Sequence, residues 1–343
     1  MTLSDDMILV TGCTGFIAKH IVLKLIETGG RVRGTLRDPA RADEIHRLLD
    51  AAGLPRNRFE AVVANLERDE GWREAARGCR FVLHTASPFP AAQPRDKFAL
   101  VPPARDGAVR ALSAAREAGA QRVVMTSSVA AIFYGHGRDR ARLFTERDVS
   151  DVGSPNISPY AVSKTEAEKA AWDTLAGSST ELVTINPSLV FGPLLDAQLG
   201  TSASILRMMM NGRFPVLLDI GFGIVDVRDV AAAHVAALQV PEARGRRFIV
   251  SGGELSLLQI SEILAREFPD LARRLPRRTF PSWPIEMAAR VSRRARMLAA
   301  ELGAPKRLDA GPAEVVLGLR FHTPEEAVRA LGESLLRFDL VKR

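Results

Sequence analysis

Cysteine is nearly absent from this chain, with two residues, Cys13 and Cys79, among 343. Two thiols cannot make a disulfide framework or a four-ligand zinc site. The six histidines show no ligand spacing with carboxylates or cysteines, so no metal is expected. Long apolar runs are missing too, and none approaches the ~20 residues that span a membrane. Residues Met1 to Asp6 are polar ahead of the first apolar run, so no signal peptide, no membrane partner and a cytoplasmic location are expected. What is present is ordinary for a packed protein: 46% hydrophobic and 25% charged residues, which excludes a disordered or low-complexity chain.

The net charge of +7 raises the question of a nucleic-acid partner. The basic residues, mostly arginine, are spread along the chain and interleaved with acids, as in Arg138-Asp139-Arg140 and Glu146-Arg147-Asp148. One cluster runs from Arg273 to Arg296, without interleaved aromatics or a nucleic-acid module. It reads as a solvated helical face, and no nucleic acid is expected.

Short apolar runs of strand length lie at Met7–Thr11, Val32–Leu36, Phe59–Val63, Phe81–His84, Arg122–Thr126 and Glu181–Ile185. Helical stretches fall between them at Phe16–Glu27, Ala40–Leu49, Asp106–Glu117 and Ser158–Ala176. This alternation predicts an α/β fold, a doubly wound parallel sheet of Rossmann type over residues 1–187. After Pro187 the regularity fades, and residues 188–343 read as a smaller substrate-binding region, with the chain crossing back to the sheet around 224–240. Helices are predicted there at Ser202–Met210, Val227–Leu238 and Leu258–Glu267, and a strand at Arg247–Val250. Thr323 and Glu326 form a capping box ahead of a last helix, Pro324–Leu336.

Four patterns carry chemistry. Thr11-Gly12-Cys13-Thr14-Gly15-Phe16-Ile17-Ala18 joins the first strand to the first helix. Glycine permits the sharp turn and the close approach of a pyrophosphate, which the helix N-terminus then holds. Cys13 inside this loop reads as a small filler, and His84 as a packed strand end. The second strand ends Gly34-Thr35-Leu36-Arg37, with no acid before Asp38. An acid there would select NAD; an arginine suits the 2′-phosphate of NADP. The third pattern is Tyr160-Ala161-Val162-Ser163-Lys164, opening a long helix behind Pro159. Residues four apart share a helical face, so phenol and ammonium project together, and the ammonium favours the phenolate. Thr126-Ser127-Ser128 ends the fifth strand, where ligands bind in doubly wound sheets; a serine there holds a substrate oxygen or merely caps a turn.

Taken together these segments resemble an extended short-chain dehydrogenase/reductase, of the group holding dihydroflavonol reductase, cinnamoyl-CoA reductase and microbial aldehyde and ketone reductases. The resemblance continues through Val32 to Pro39, Val82 to Pro88, Asn186-Pro187-Ser188-Leu189-Val190-Phe191-Gly192-Pro193 and Val225 to Ala231. It implies NADP(H) held by Gly12, Thr14, Gly15, Phe16 and Ile17, with Arg37 on the adenosine 2′-phosphate. Thr85, Ala86 and Ser87 would pass beside the ribose and diphosphate, Pro187 and Leu189 beside the nicotinamide, and Asn65-Leu66 against the adenine. Tyr160 would protonate the reduced carbonyl, Lys164 would bind the ribose and lower the phenol pKa, and Ser128 would hold the substrate oxygen.

Phe133 falls where plant flavonoid reductases carry an asparagine that reads a ring hydroxyl, which argues against a flavonoid. Phe89, Phe133, Met208 and Phe222 suggest a pocket for an apolar or aromatic carbonyl or alcohol, in a monomer or homodimer. Two other functions compete. A sugar-nucleotide epimerase or dehydratase shares the fold but generally presents an acid after strand two. A non-catalytic NADP-sensing protein tends to lose the tyrosine–lysine pair that this chain keeps.

Overall fold

The computed structural model describes residues 3–87, 94, 96–137, 139 and 141–342. The chain begins with β1 (Met7–Thr11), α1 (Phe16–Glu27), β2 (Arg31–Leu36), α2 (Ala42–Ala51), β3 (Phe59–Val63) and α3 (Trp72–Ala76). It continues with β4 (Phe81–His84), α4 (Val101–Glu117), β5 (Arg122–Thr126), the short β6 (Leu143–Phe144), α5 (Pro159–Leu175) and β7 (Glu181–Pro187). Next come β8 (Leu189–Phe191), α6 (Thr201–Met210), β9 (Leu217–Leu218), β10 (Gly221–Asp226), α7 (Val227–Gln239), β11 (Arg247–Val250), β12 (Gly253–Ser256) and α8 (Leu257–Glu267). The last stretch holds β13 (Thr279–Phe280), α9 (Trp283–Ala288), α10 (Arg293–Glu301), β14 (Arg307–Leu308), α11 (Gly311–Leu317) and α12 (Pro324–Arg337).

Seven strands form one parallel sheet in the order β11-β7-β5-β4-β1-β2-β3. The order reverses between β1 and β4, which opens a crevice at the carboxyl ends of the strands. Every segment singled out for chemistry in the first half leaves the sheet at that end. The sheet also takes in β11, so it draws on both sides of the boundary expected at residue 187. A three-stranded sheet, β12-β10-β8, stands beside the crevice.

Helix α1 docks through Ile21, Val22, Leu25 and Ile26, packed with Val230, Ala231 and Ala237 of α7. Fully burying such side chains is worth about 1.5–3 kcal/mol each, far more than its uncapped start can cost. On the opposite face α4 and α5 approach closely because their contact surfaces are alanines, among them Ala104, Ala108, Ala111, Ala167 and Ala171. A third core joins Leu206, Met209 and Met210 of α6 to Ile263 and Leu264 of α8 and Val328 and Leu331 of α12. Helix α12 carries the capping box expected at Thr323 and Glu326.

Candidate active site

The loop after β1 turns on Gly12, whose φ of 63° suits glycine. A Cβ at Gly12 would lie 3.0 Å from the Cβ of Ala86, so the glycine also permits the approach of the loop after β4. Gly12 N–H donates to Thr35 Oγ1 at 2.9 Å, fixing the loop to β2. Gly15 starts α1 without any side-chain cap, which leaves first-turn amides for a ligand. Cys13 is buried, and burial pushes its thiol up to about 12, so it packs as a filler rather than reacting.

This loop opens onto a cavity of about 1100 Å³ lined by Gly12, Thr14, Gly15, Phe16, Arg37, Asn65, Leu66, Thr85, Ala86 and Ser87. Arg37 is exposed at its mouth, one residue past β2. The Asp38 carboxylate instead accepts the Ala40 N–H at 3.0 Å and caps a short helix. Asn65 Oδ1 accepts the Glu67 N–H at 3.1 Å, leaving one lone pair for an adenine amino group. Behind the loop, Thr11 Oγ1 accepts the N–H groups of Thr85 and Ala86 at 3.1 and 3.0 Å. Its one proton therefore goes to His84 Nδ1 at 3.0 Å, which makes His84 a neutral Nε2–H tautomer. Burial and the Lys164 charge push His84 down to about 3 in agreement.

An adjoining cavity of about 870 Å³ shares Gly12, Gly15, Phe16, Thr85 and Ser87 and adds Ile17, Ser128, Tyr160, Lys164, Pro187 and Leu189. Ser128 caps a turn and also faces the phenol of Tyr160. Its Oγ accepts the Ala130 N–H at 3.1 Å, as a cap, and is hydrogen-bonded to the Tyr160 phenol. Pro159 and the Ser158 cap start α5 so that Tyr160 stands in its first turn, with Lys164 one turn on. Burial pushes Lys164 down to about 8, against the pull of Glu168. Tyr160 departs from expectation. Burial raises its pKa, and the Ser128 hydrogen bond opposes this.

A family model of the NAD dependent epimerase/dehydratase family matches residues 8–251, which takes in all of the seven-stranded sheet but Met7, together with the glycine loop and the tyrosine segment. The chain belongs to that family. Cinnamoyl-CoA reductase CAD2 of Medicago truncatula is 36% identical over 255 residues, 71% of this chain and 76% of the relative. Ketoreductase azaE of Aspergillus niger is 34% identical, covering 78% of this chain and 84% of its own. The crystal structure of yeast methylglyoxal/isovaleraldehyde reductase Gre2 with NADPH superposes with a TM-score of 0.80 at 28% identity, over 97% of this chain and 99% of that one. Within the family this chain has the extended short-chain dehydrogenase/reductase fold.

The outer wall of this family member's second cavity was less legible. Phe133 and Phe222 line it, whereas Phe89 lies outside the described residues. Met208 is a correction: α6 buries Ala203, Leu206, Met209 and Met210, which turns Met208 outward, 37% exposed and away from either cavity. Two wall residues had no sequence signal. Lys306 Nζ pairs with Glu301 at 2.9 Å and lies 4.7 Å from the Phe133 ring centre. In the first cavity Lys19, Arg41, Asp196 and Gln198 were likewise missed; they join its two walls through a Lys19–Asp196 pair and an Arg41–Gln198 bond of 2.7 Å. The arginines at 273, 274, 277, 278, 293, 294 and 296 are exposed. Among the described residues no His, Cys, Asp or Glu cluster could hold a metal, and no helix is long and apolar enough to cross a membrane.

Proposed function

We propose that this chain is an NADPH-dependent reductase of aldehyde or ketone carbonyls, reversible as an alcohol dehydrogenase. The observation that carries this reading is the Ser128–Tyr160 hydrogen bond, with Lys164 one turn along α5, all three lining the second cavity, which shares Gly12 and Gly15 with the first. The residues present suit a phosphorylated dinucleotide: a glycine turn that any Cβ would crowd, an uncapped helix start, and Arg37 at the far end with Asp38 turned to its own cap. When bound, the nicotinamide supplies the hydride.

The rest is the work of the chain. With its pKa raised by burial, Tyr160 is a protonated phenol at neutral pH and can give its proton to a carbonyl oxygen. Ser128 Oγ, beside that phenol, holds the same oxygen in place. Lys164 then stabilises the phenolate left behind, through an attraction strengthened by its buried setting. Phe133 and Phe222 favour an apolar or aromatic small molecule. The reductase names of the relatives support this over an epimerase, and the intact tyrosine–lysine pair supports it over a sensor.

Oxidation of NADPH and NADH against a panel of aldehydes, ketones and ketoesters tests the reading. NADPH should be consumed with at least one carbonyl, with kcat/KM about tenfold or more above that with NADH, the value of one charge-assisted contact. No turnover with any carbonyl, or equal use of NADH, would overturn it.

A further inference from the structure

Behind Lys164 lies a buried acid that the mechanism above does not use. Glu168 sits one turn further along α5, on the same face as Lys164, and is 3% exposed. Its Oε2 accepts the Ser127 hydroxyl and, at 2.8 Å, the Asn186 amide. That same Asn186 Nδ2 donates to the backbone carbonyl of Ser128 at 3.1 Å. Its Oε1 accepts Arg247 Nε at 2.6 Å and Thr184 Oγ1 at 3.3 Å. One carboxylate therefore touches the end of β5 that carries Ser128 and lies one helical turn from the ammonium that serves Tyr160.

Resting on the reading of Ser128, Tyr160 and Lys164 given above, we propose that Glu168 is a positioning residue for proton transfer, keeping Lys164 charged at neutral pH and the Ser128 strand end in register. A buried ammonium without a counter-charge loses its proton readily. Among the described residues, Glu168 is the group whose charge opposes this. His84, from β4, is neutral and cannot help. His234, from α7, is also pushed down, to about 4, and hydrogen-bonds Thr126. Strand β7 offers Thr184 and Asn186, which carry no charge, and the surface of α4 against α5 is alanine. Among the described residues Arg247, from β11, is the one cation bonded to Glu168, and it is shared with the carbonyls of Glu146 and Asp148 at 2.8 and 2.7 Å. The Glu146 carboxyl is itself raised by burial and accepts the Ile249 N–H. The Arg247–Glu168 ion pair dilutes the negative charge that Lys164 feels.

This geometry gives two substitutions opposite signs. Lys164 must be charged for turnover, and it titrates before Tyr160, so it sets the alkaline limb of kcat for carbonyl reduction. Glu168→Gln removes the counter-charge and should move that limb to lower pH by about one pH unit. Arg247→Met leaves the carboxylate less compensated and should move the limb to higher pH. Glu168→Asp, which restores the charge, should return it toward the wild-type position. The same profiles should appear without turnover, in the pH dependence of NADPH binding read by nicotinamide fluorescence. A Glu168→Gln limb at or above the wild-type position overturns the proposal, even where the melting temperature falls, because a purely structural acid would lower stability alone. Should Glu168→Gln fail to fold, an Arg247→Met limb at or below the wild-type position overturns it. Tyr160→Phe run alongside separates the two levels: undiminished turnover there defeats the reading of the site, whereas lost turnover with unmoved limbs defeats only the role of Glu168.

Discussion

The seven-stranded sheet and the C-terminal wall face each other across one cleft, and they are built by different means. Strands β1, β4 and β5 are buried along nearly their whole length, and helices pack against both faces. Apart from the six-residue β10, the wall relies on two- to four-residue strands, on α9 with no buried residue, and on α10, which buries only Ala299. Trp283, Met287 and Val291 there are 63%, 57% and 87% exposed. The difference assigns tasks. Gly12, Ser128 and Lys164 hang on the buried frame, whereas Phe222, Glu301 and Lys306, which also line the second cavity, sit on the looser wall. Rigid scaffolds position chemistry, and sparsely packed segments open at lower free-energy cost.

If that division is right, the largest effect should come from the frame's chemistry. Tyr160→Phe should cut turnover by about 10²–10⁴-fold, the usual worth of general-acid assistance. NADPH affinity should stay at its wild-type value, because the ring still fills its place. Ser128→Ala should cost less, about 10²-fold at most, for one lost donor. A Tyr160→Phe protein with weakened NADPH binding and normal turnover would reverse the assignment of roles.

Acid should strike the frame next. His20, His84 and His234 all sit on the sheet side, and burial pushes them down to about 4, 3 and 4 from 6.5. The unfolded chain therefore binds protons first as pH falls through 6.5, so their contribution to stability is present above that value and lost below it. Between pH 6.5 and 5 each can contribute at most ~2 kcal/mol. Thermal melts at pH 7 and pH 5 should differ by several degrees, and His234→Gln should flatten that dependence. An unchanged slope in the variant would remove His234 from the account.

A smaller effect belongs to the rim of the frame. Losing one charge-assisted contact, Arg37→Ala should raise the NADPH dissociation constant about ten- to hundredfold while NADH binding barely moves. Fluorescence titration of both nucleotides checks it. Equal losses for the two would mean that Arg37 reads something other than the 2′-phosphate.

The same contrast explains what could be read from the residues alone. Strands one to five, α1 and α5 were legible because apolar runs alternate with glycine turns and helical periodicity. Helix α4 starts at Val101, before the expected Asp106, because Pro102 and Pro103 stand in its first turn, where a missing N–H costs nothing. Strands β8, β10 and β12 gave no signal: Leu189–Phe191 is three residues long, and Gly221 and Gly223 interrupt β10. A Cβ at 223 would lie 2.8 Å from Leu308 Cδ1 and 3.0 Å from Ser251 Oγ, so a larger residue there would have to displace those side chains. Tyr160 carried its identity in the motif but not its environment. Its burial depends on distant segments, and that burial reversed the expected direction of its pKa. Met208 was misplaced for a simpler reason, since three methionines in a row cannot all face one side of a helix.

Where the wall was legible, local capping chemistry made it so, and the smallest prediction tests that point. Thr323 Oγ1 accepts the Glu326 N–H at 3.2 Å, and Glu326 Oε2 accepts the Thr323 N–H at 2.8 Å. The box fixes the start of α12, whose Ala327, Val328, Leu331 and Leu335 fill the third core. The residue before it, His322, donates its N–H to Asp229 of α7 at 2.8 Å, so the cap also ties the wall to the sheet side. Thr323→Ala removes one acceptor at an exposed helix start, and in a chain of this length it should lower the melting temperature by about 1–2 °C. Thr323→Ser should restore it, since the hydroxyl is what the cap needs. Turnover and NADPH affinity should not change, because Thr323 and Glu326 line neither cavity. A loss of turnover in Thr323→Ala that Thr323→Ser repairs would show that the wall's local caps set the chemistry as well as the fold, and the division between frame and wall would have to be redrawn.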